Sequence, residues 1–324
     1  MDCVAHAPTD TKPVPIDYDV AIDRTDTSVA TGQRCVVTQP ELATLEGNSC
    51  LITGATSGIG LVTAETLAAR GARVLVVGRD EARVSGLVSR LNSGNEGARH
   101  TGFVADLTSQ ADLHRLAKEV GQSTDRLDVL VNNAGVMTFE RQLTVDGWEY
   151  TFALNHLAYF TLTQLLLPLL RVPECARVVS VASDAHRSVA GLRFDDLHGA
   201  KRYGGWRAYC QSKLANILFT RELARRLKGT RVTANSLHPG FVQTRFFRKP
   251  GFRWWLMGLG ANLIAISPEK GAATSIYLAS SAEVAGAHGR YFTKCRAVEP
   301  SRAARDDEAA ARLWDVSQSL TGVG

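Results

Sequence analysis

Long apolar runs are missing from this sequence. No stretch of its 324 residues is apolar without interruption over about 18 positions, the length that a membrane-spanning helix requires. The first residues have no basic start followed by an apolar core, so we expect no secretory signal. The six cysteines stand in no CxxC or other metal-like spacing, so neither a metal site nor a disulfide framework is expected. These absences favour a soluble protein of the reducing cytoplasm.

Clusters of basic residues are missing as well. The net charge is +5, but residues 1–46 hold eight acidic and three basic side chains, so the remainder carries +10. Lysine and arginine are scattered through that remainder, and we therefore do not expect nucleic acid as a partner. A basic domain of this kind still attracts an anionic, phosphorylated cofactor.

The composition favours one large folded domain. With 45% hydrophobic and 21% charged residues, the chain can bury a sizeable core. Residues 1–46 show neither helical nor strand periodicity and are predicted to form a mostly irregular N-terminal extension. No Pro/Gly/Ser-rich linker or internal repeat divides the rest. Residues 47–300 are therefore predicted to form a single domain, followed by a C-terminal helix or tail at residues 301–324.

From Cys50 onward, short β-branched runs alternate with longer amphipathic stretches, as in a parallel sheet covered by helices. Strands are predicted at residues 50–53, 73–77, 100–105, 128–132, 176–182, 231–236 and 290–293. Helices are predicted at residues 59–70, 80–92, 109–121, 146–171, 207–228, 268–280 and 302–318. Continuously apolar strands require cover on both faces of the sheet. The predicted fold class is α/β: a single Rossmann-type, doubly wound domain with a seven-stranded parallel sheet and helices on both faces.

A glycine-rich turn follows the first predicted strand. Residues 53–60 read Thr-Gly-Ala-Thr-Ser-Gly-Ile-Gly and open the helical pattern of residues 61–70. Glycines remove the side chains that would block a dinucleotide's pyrophosphate, and the helix N-terminus offers free N–H groups. The same residues also suit an ordinary strand-to-helix connection. The predicted cofactor contacts in this turn are Gly54, Thr56, Ser57, Gly58, Ile59 and Gly60.

The ends of the next two predicted strands bear on which dinucleotide binds. Gly78-Arg79 stands where an NAD site would place a carboxylate for the ribose hydroxyls, and an arginine can instead grip a 2′-phosphate. We therefore predict NADP(H) as the preferred cofactor and NAD(H) as the alternative, although Arg79 is also compatible with a plain solvated charge. Asp106-Leu107 is placed to meet the adenine, and Asp106 could equally cap the next helix.

Three further groups of residues stand at strand ends or share a helix face. Residues 132–135 read Asn-Asn-Ala-Gly and end the fourth strand, where small residues permit close approach of a ligand, although this is also a common turn sequence. Ser183 ends the fifth strand. Tyr209 and Lys213 are four residues apart, which places both side chains on one face of a helix. The candidate cofactor contacts in the turn are Asn133, Ala134 and Gly135.

A lysine close to a tyrosine changes how readily the phenol gives up its proton. A phenol has an ordinary pKa of about 10, too high for ready proton exchange at neutral pH. An ammonium group about 6 Å away favours the phenolate by about 3 kcal/mol at an effective dielectric near 20, or roughly two pKa units, before desolvation opposes it. Lys213 is therefore predicted to lower the pKa of Tyr209 into the range of a general acid or base.

These motifs, in this order, resemble the classical type of the short-chain dehydrogenase/reductase family. The resemblance covers residues 48–294 and rests on the glycine turn, the Asn-Asn-Ala-Gly turn, Asn155, Ser183, Tyr209, Lys213 and Pro239-Gly240. Residues 144–149, 155–157, 165–170 and 235–240 are most similar to the retinol-dehydrogenase-like branch. That branch shares the long interval between Ser183 and Tyr209.

The resemblance implies a role for each matching residue. Tyr209 would pass a proton to or from the substrate oxygen while Ser183 hydrogen-bonds that oxygen. Lys213 would hold the nicotinamide ribose and lower the pKa of Tyr209, and Asn155 would fix a water in a proton relay through Lys213. Hydride would then move directly between the cofactor and the carbinol carbon. The residues implied at the nicotinamide end are Pro239, Gly240, Val242 and Thr244.

The stretch after Thr244 is apolar and aromatic. It contains Phe252, Trp254 and Trp255, and it falls at residues 244–266, where the family keeps a substrate lid. We predict a lid over a bulky, lipophilic carbonyl or alcohol. Two alternatives stay open: a buried core helix, and a peripheral membrane contact, because basic residues stand beside the two tryptophans.

The predicted function is an NADP(H)-dependent oxidoreductase that transfers hydride between the nicotinamide and a lipophilic ketone, aldehyde or alcohol of retinoid-, steroid- or polyketide-like type. The alternatives are a catalytically silent, dinucleotide-binding regulatory or scaffold protein, and a nucleotide-sugar epimerase or dehydratase. The intact Ser183, Tyr209 and Lys213 argue against the first, and the short glycine spacing argues against the second. A homo-oligomer and a monomer both remain open, because the long helices would be amphipathic in either.

Overall fold

The structure is a computed structural model that describes residues 44–93, 99–240 and 266–324. The predicted N-terminal extension and the predicted substrate lid lie almost entirely outside the described residues. Val242 and Thr244 lie outside them as well, so their predicted contacts stay predictions.

One sheet runs through the described part of the chain. Its strands are β1 (Ser49–Thr53), β2 (Arg73–Gly78), β3 (Thr101–Val104), β4 (Val129–Asn132), β5 (Ala176–Val181), β6 (Val232–His238), β7 (Tyr291–Thr293) and β8 (Arg296–Val298). They lie side by side in the order β3-β2-β1-β4-β5-β6-β7-β8, and every pairing from β3 to β7 is parallel. The order reverses direction at β1 and β4, which is the point where ligands bind in such sheets.

The predicted doubly wound parallel sheet is confirmed, but the predicted count of seven strands is one too few. β8 pairs antiparallel with β7 across a tight turn, in which Lys294 and Cys295 adopt φ angles of +49° and +58°. β8 is short and largely exposed, so it carries no apolar run that would identify it in the sequence.

Helices fill the intervals close to where the periodicity predicts them. They are α1 (Gly58–Ala69), α2 (Glu81–Ser93), α3 (Gln110–Ser123), α4 (Tyr150–Leu170), α5 (Gly205–Arg226), α6 (Pro268–Ser280) and α7 (Asp307–Thr321). The last predicted helix is divided, because residues 302–305 form a separate 3-10 turn before α7.

Helix α4 starts at Tyr150 and not at residue 146. The Glu149 carboxylate accepts hydrogen bonds from the backbone N–H groups of Thr151 and Phe152, at 2.9 and 2.7 Å, and so caps the helix. Gly147 adopts a φ of +80°, which keeps the preceding residues in a turn. Inside α4, Ala153–Leu157 form a π-helical segment that widens the helix where it passes the predicted site.

Apolar clusters cover the two faces of the sheet, as predicted. Helices α1, α2 and α6 pack on one face, and helices α3, α4, α5 and α7 pack on the other. Helix α4 is long and apolar enough to cross a membrane by length and composition, but 72% of its most apolar window is buried inside the protein. The ring of Phe160 in α4 meets the ring of Trp314 in α7 edge-on, with centroids 5.0 Å apart. The apolar character of α4 is therefore that of a core helix.

Candidate active site

The turn between β1 and α1 has a backbone that requires its glycines. Gly54 and Gly58 adopt φ angles of +66° and +57°, which side chains disfavour. A Cβ added to Gly60 would lie only 2.4 Å from the carbonyl oxygen of Gly54. Ser57 precedes α1 without making a side-chain capping bond. The turn is thus a cradle of backbone groups that fits a dinucleotide's pyrophosphate, because the amides at the start of α1 have no side chain over them.

Two other predicted contacts of this turn, Thr56 and Ile59, pack against neighbouring elements of the fold. A Cβ added to Gly78 would lie 2.7 Å from the Cγ2 of Thr56, so the end of β2 passes closely over the turn. Ile59 is 9% exposed and packs against Ala272 and Ile276 of α6. Its side chain therefore anchors the turn, and only its backbone is left to meet a ligand.

The predicted Asn-Asn-Ala-Gly turn is bonded to the glycine cradle. The backbone N–H and the Nδ2 of Asn133 donate to the Oγ1 and the carbonyl oxygen of Thr53, at 2.9 and 2.8 Å. The N–H of Ala134 donates to the same Oγ1 at 3.1 Å. Asn132 is buried and donates instead to the Oγ1 of Thr163 in α4, at 2.9 Å. Asn133 and Ala134 thus hold the ends of β1 and β4 in register at the switch point of the sheet.

Gly135 carries the chain from the cradle to the predicted catalytic residues. A Cβ at this position would lie 3.4 Å from the Oδ1 of Asn155 and 3.5 Å from the Nζ of Lys213. Both are ordinary van der Waals distances, so Gly135 lies between the glycine cradle and the predicted catalytic residues.

Ser183, Tyr209 and Lys213 come together at the carboxyl end of β5. The hydroxyl of Ser183 lies near the phenol of Tyr209 and acts to lower the pKa of that phenol. It also accepts the N–H of Ala185 at 3.2 Å, which holds its position at the start of a 3-10 turn. The Nζ of Lys213 lies 5.6 Å from the centroid of the Tyr209 ring and donates to the carbonyl oxygen of Val181 at 3.0 Å. The i and i+4 spacing on α5 therefore places both side chains on one face, as predicted.

Burial is the main influence on the pKa values of Tyr209 and Lys213. Burial raises the pKa of Tyr209 to about 12, although the hydroxyl of Ser183 acts in the opposite direction. Burial also lowers the pKa of Lys213, which is 3% exposed, to about 7. The prediction that Lys213 lowers the pKa of Tyr209 is therefore wrong for the protein alone. A lysine that has lost much of its own charge at neutral pH stabilises a phenolate only weakly, and desolvation prevails.

Asn155 lies in the π-helical segment of α4 and is fully buried. Its Oδ1 accepts the N–H of Val136 at 2.8 Å, and its Nδ2 donates to the carbonyl oxygen of Val136 at 2.8 Å and to the Oγ of Ser212 at 2.9 Å. The side chain thus joins the loop after β4 to helix α5. Its predicted role in a water relay through Lys213 stays a prediction.

The three residues predicted to contact the adenosine part of the cofactor, Arg79, Asp106 and Leu107, have different environments. Arg79 is exposed at the end of β2. The Oδ1 of Asp106 accepts the N–H and the hydroxyl of Thr108, at 3.0 and 2.8 Å, while the cap of α3 is Ser109. Asp106 therefore shapes the turn before α3 and does not cap that helix. Leu107 is 5% exposed and belongs to the core, so it can support this turn but presents little side chain to a ligand.

At the nicotinamide end, Pro239 and Gly240 follow β6 and are half-buried. Gly240 adopts a φ of +88°, and a Cβ there would lie 2.5 Å from the Cδ1 of Ile266. The chain at Gly240 therefore turns in a way that only glycine allows, beside the far end of the predicted lid.

The sequence reasoning missed one residue of this site. Trp206 is 54% exposed, and its ring stacks on the ring of Tyr209 with centroids 5.9 Å apart and an interplanar angle of 28°. Trp206 stands three residues before Tyr209 on α5. Residues three apart on a helix share a face, so the spacing in the sequence could have indicated this contact. An exposed aromatic face thus borders the phenol.

The comparisons with known proteins agree with this geometry. The family model described as short chain dehydrogenase matches residues 48–251. The chain belongs to this family. It is 41% identical over 295 residues to retinol dehydrogenase 14 of Homo sapiens, covering 86% of this chain and 88% of that protein. It is 40% identical over 304 residues to retinol dehydrogenase 13 of Homo sapiens, covering 90% and 89%. The predicted retinol-dehydrogenase-like branch is confirmed.

Solved structures support the same assignment. An uncharacterised protein from Mycobacterium paratuberculosis is 34% identical with a TM-score of 0.70, covering 87% of this chain and 96% of that one. RhlG of Pseudomonas aeruginosa, solved as an NADP active-site complex, is 31% identical with a TM-score of 0.61, covering 79% and 97%. The protein is therefore an oxidoreductase of the family that acts on CH–OH groups with an NAD(P) dinucleotide.

Proposed function

We propose that this protein is an NADP(H)-dependent oxidoreductase that interconverts a lipophilic alcohol and its carbonyl compound, with retinoid-like molecules as the first candidates. The observation that carries the proposal is that Ser183, Tyr209 and Lys213 come together at the end of β5, next to the turn that is bonded to the glycine cradle. A protein that only sensed dinucleotides would need the cradle but not this assembled group.

The chain's own residues handle the proton of the reaction. A bound nicotinamide would supply or accept the hydride. With a pKa of about 12, Tyr209 is protonated at neutral pH and is ready to donate its proton to a carbonyl oxygen. The Ser183 hydroxyl can hydrogen-bond the same oxygen. In the direction of alcohol oxidation, Tyr209 must first lose its proton, which the charge on Lys213 favours only while that lysine is itself protonated.

The surroundings of Arg79 support NADP(H) over NAD(H). Arg79 has no ion pair with any carboxylate among the described residues. The neighbouring Asp80 accepts the N–H of Arg83 at 3.1 Å and pairs with its guanidinium at 3.4 Å, so this carboxylate is already engaged. The end of β2 therefore presents a positive charge to a ligand, which suits a 2′-phosphate. The likeness to RhlG, an NADP complex, supports the same preference.

Trp206 supports a lipophilic substrate. Its exposed ring stacks on the ring of Tyr209, whose hydroxyl would meet the substrate oxygen, and so offers apolar surface to a ligand at that point. The names of the retinol dehydrogenase relatives support the same class. A cytoplasmic location, a homo-oligomer and a membrane contact stay predictions.

Nicotinamide absorbance in the near ultraviolet tests the proposal. The purified full chain is mixed with NADPH or NADH and a panel of carbonyl compounds that runs from small and polar to long and apolar. We expect NADPH to be consumed fastest with the long apolar aldehydes or ketones. Dinucleotide binding without turnover across the panel would favour the regulatory alternative, and preference for small polar carbonyls would contradict the substrate class.

A further inference from the structure

One hydrogen bond joins two elements at the adenosine end of the site. Arg79, directly after β2, donates from Nη1 to the Oη of Tyr150, the first residue of α4, at 2.6 Å. The two residues are 71 positions apart, so no local pattern in the sequence predicts the contact.

Tyr150 is the fixed partner of this pair. Its N–H donates to the carbonyl oxygen of Gln142 at 3.0 Å, and the Glu149 cap holds the helix end on which it stands. Its ring is partly buried and packs against the main apolar cluster. Arg79, in contrast, is exposed, and a free arginine side chain would sample many rotamers. The tyrosine hydroxyl therefore restricts where the guanidinium can lie.

The pair keeps donors available for an anion. A guanidinium has several N–H donors, and Tyr150 accepts from only one of its nitrogens. The tyrosine hydroxyl accepts in this bond, so its own proton is left to donate, and no second partner for that hydroxyl occurs among the described residues. With Asp80 engaged by Arg83, the charge on Arg79 is also not neutralised by a described carboxylate.

We propose that Tyr150 determines selectivity for the 2′-phosphate of the cofactor: it holds the guanidinium of Arg79 at the end of β2 and donates its own hydroxyl proton to the phosphate. The inference rests on the proposed preference for NADP(H), since NAD(H) has no such group. A bare ribose hydroxyl would gain less from the pair, because only the phosphate carries a charge opposite to that of the guanidinium and offers several oxygens to its N–H donors.

Direct binding measurements test this role without relying on turnover. Dissociation constants for NADPH and NADH are measured by fluorescence with the full chain, and 2′,5′-ADP and 5′-AMP serve as competing fragments. We expect Tyr150→Phe to weaken NADPH and 2′,5′-ADP by about tenfold and to leave NADH and 5′-AMP unchanged. Arg79→Ala should weaken the same two ligands by more. The double variant should bind these two ligands more weakly than Arg79→Ala, but by less than the tenfold loss of Tyr150→Phe alone, because the positioning role of Tyr150 is already lost with the arginine and only its own bond to the phosphate remains to be removed.

Two control variants remove similar groups elsewhere. Tyr277→Phe removes a hydroxyl that donates to Glu283 at 2.8 Å, and Arg90→Ala removes a cation of α2 that pairs with Glu65 at 2.7 Å. Neither should change the ratio of NADPH to NADH affinity.

The outcomes separate the two proposals. If Arg79→Ala abolishes a preference for NADPH but Tyr150→Phe keeps it, the role of Tyr150 is overturned and the cofactor proposal stands. If Tyr150→Phe weakens NADPH and NADH equally, the tyrosine is merely structural and its selectivity role is likewise overturned. If the unmodified protein binds NADH as tightly as NADPH and Arg79→Ala changes neither, both proposals fail.

Discussion

The two ends of the predicted cofactor cleft are built differently. At the nicotinamide end, Lys213 is almost fully buried, and burial moves the pKa values of Lys213 and Tyr209 in opposite directions. At the adenosine end, Arg79 is exposed, and its one hydrogen bond to a described residue goes to Tyr150. The pKa values of the catalytic group are thus set by desolvation, which costs stability, whereas the proposed cofactor selectivity rests on an exposed charge, which costs little. Variants at the two ends should therefore change different quantities.

The largest effect is expected from Tyr209→Phe. Removing the phenol removes the proton donor, so turnover should fall by about a thousandfold or more. The affinity for NADPH should stay within about threefold of that of the unmodified protein, because the cradle residues are untouched. Single-turnover kinetics and equilibrium cofactor binding measure the two quantities, and turnover close to that of the unmodified protein would contradict the proposed mechanism.

The second prediction is that the contribution of Lys213 to the stability of the fold depends on pH. Its pKa falls from 10.5 in the unfolded chain to about 7 in the folded protein, so the unfolded chain binds more protons between these values. The contribution of Lys213 to stability is therefore least favourable below pH 7 and recovers as the pH rises toward 10.5. Lys213→Met should be more stable than the unmodified protein at pH 7, and this difference should shrink by about 1 kcal/mol per pH unit above it.

Chemical denaturation of the cofactor-free proteins at several pH values measures this difference. Other titrating groups are common to both proteins and cancel. Lys270→Met, at an exposed position of α6, is the control. A difference between Lys213→Met and the unmodified protein that stays constant from pH 7 to pH 10 would show that the charge of Lys213 is not desolvated as described.

The third prediction concerns the cradle that both ends share. Gly60→Ala places a Cβ 2.4 Å from the Gly54 carbonyl oxygen and 2.5 Å from the Nδ2 of Asn133, so the turn must shift. We expect NADPH and NADH to lose affinity equally, by about tenfold or more, because the pyrophosphate is common to both. Gly86→Ala is the control, since its Cβ meets nothing within 4 Å on α2 and should raise helix stability. Selective loss of one dinucleotide would contradict the position of the pyrophosphate.

The smallest effect is expected from Trp206→Ala. Loss of the stacked ring should raise the KM for long apolar carbonyl substrates by about three- to tenfold and leave small substrates nearly unchanged. Val145→Ala, which removes another exposed apolar side chain, should leave both classes unaffected. Equal effects of Trp206→Ala on small and long substrates would mean that the ring supports Tyr209 itself and does not contact the substrate.

Much of the fold was predictable because its signals are local. Runs such as residues 74–77 are apolar throughout, and this alone indicates strands covered on both faces. The start of α4 was misplaced because its cap is a glutamate carboxylate and not one of the usual short capping residues. β8 was missed because it is short, largely exposed and lacks an apolar pattern. Both errors occur where side-chain contacts, and not periodicity, decide the boundary.

The sequence by itself determined the succession of strands and helices along the chain, the glycine turn, and the shared helix face of Tyr209 and Lys213. Each of these depends on neighbours a few residues apart. Only the tertiary structure decided which side chains meet across long intervals, as Arg79 meets Tyr150. It also decided the direction of the pKa shifts at Tyr209 and Lys213. Coulomb attraction can be estimated from spacing alone, but desolvation depends on everything packed around a group, and at this site desolvation is the larger effect.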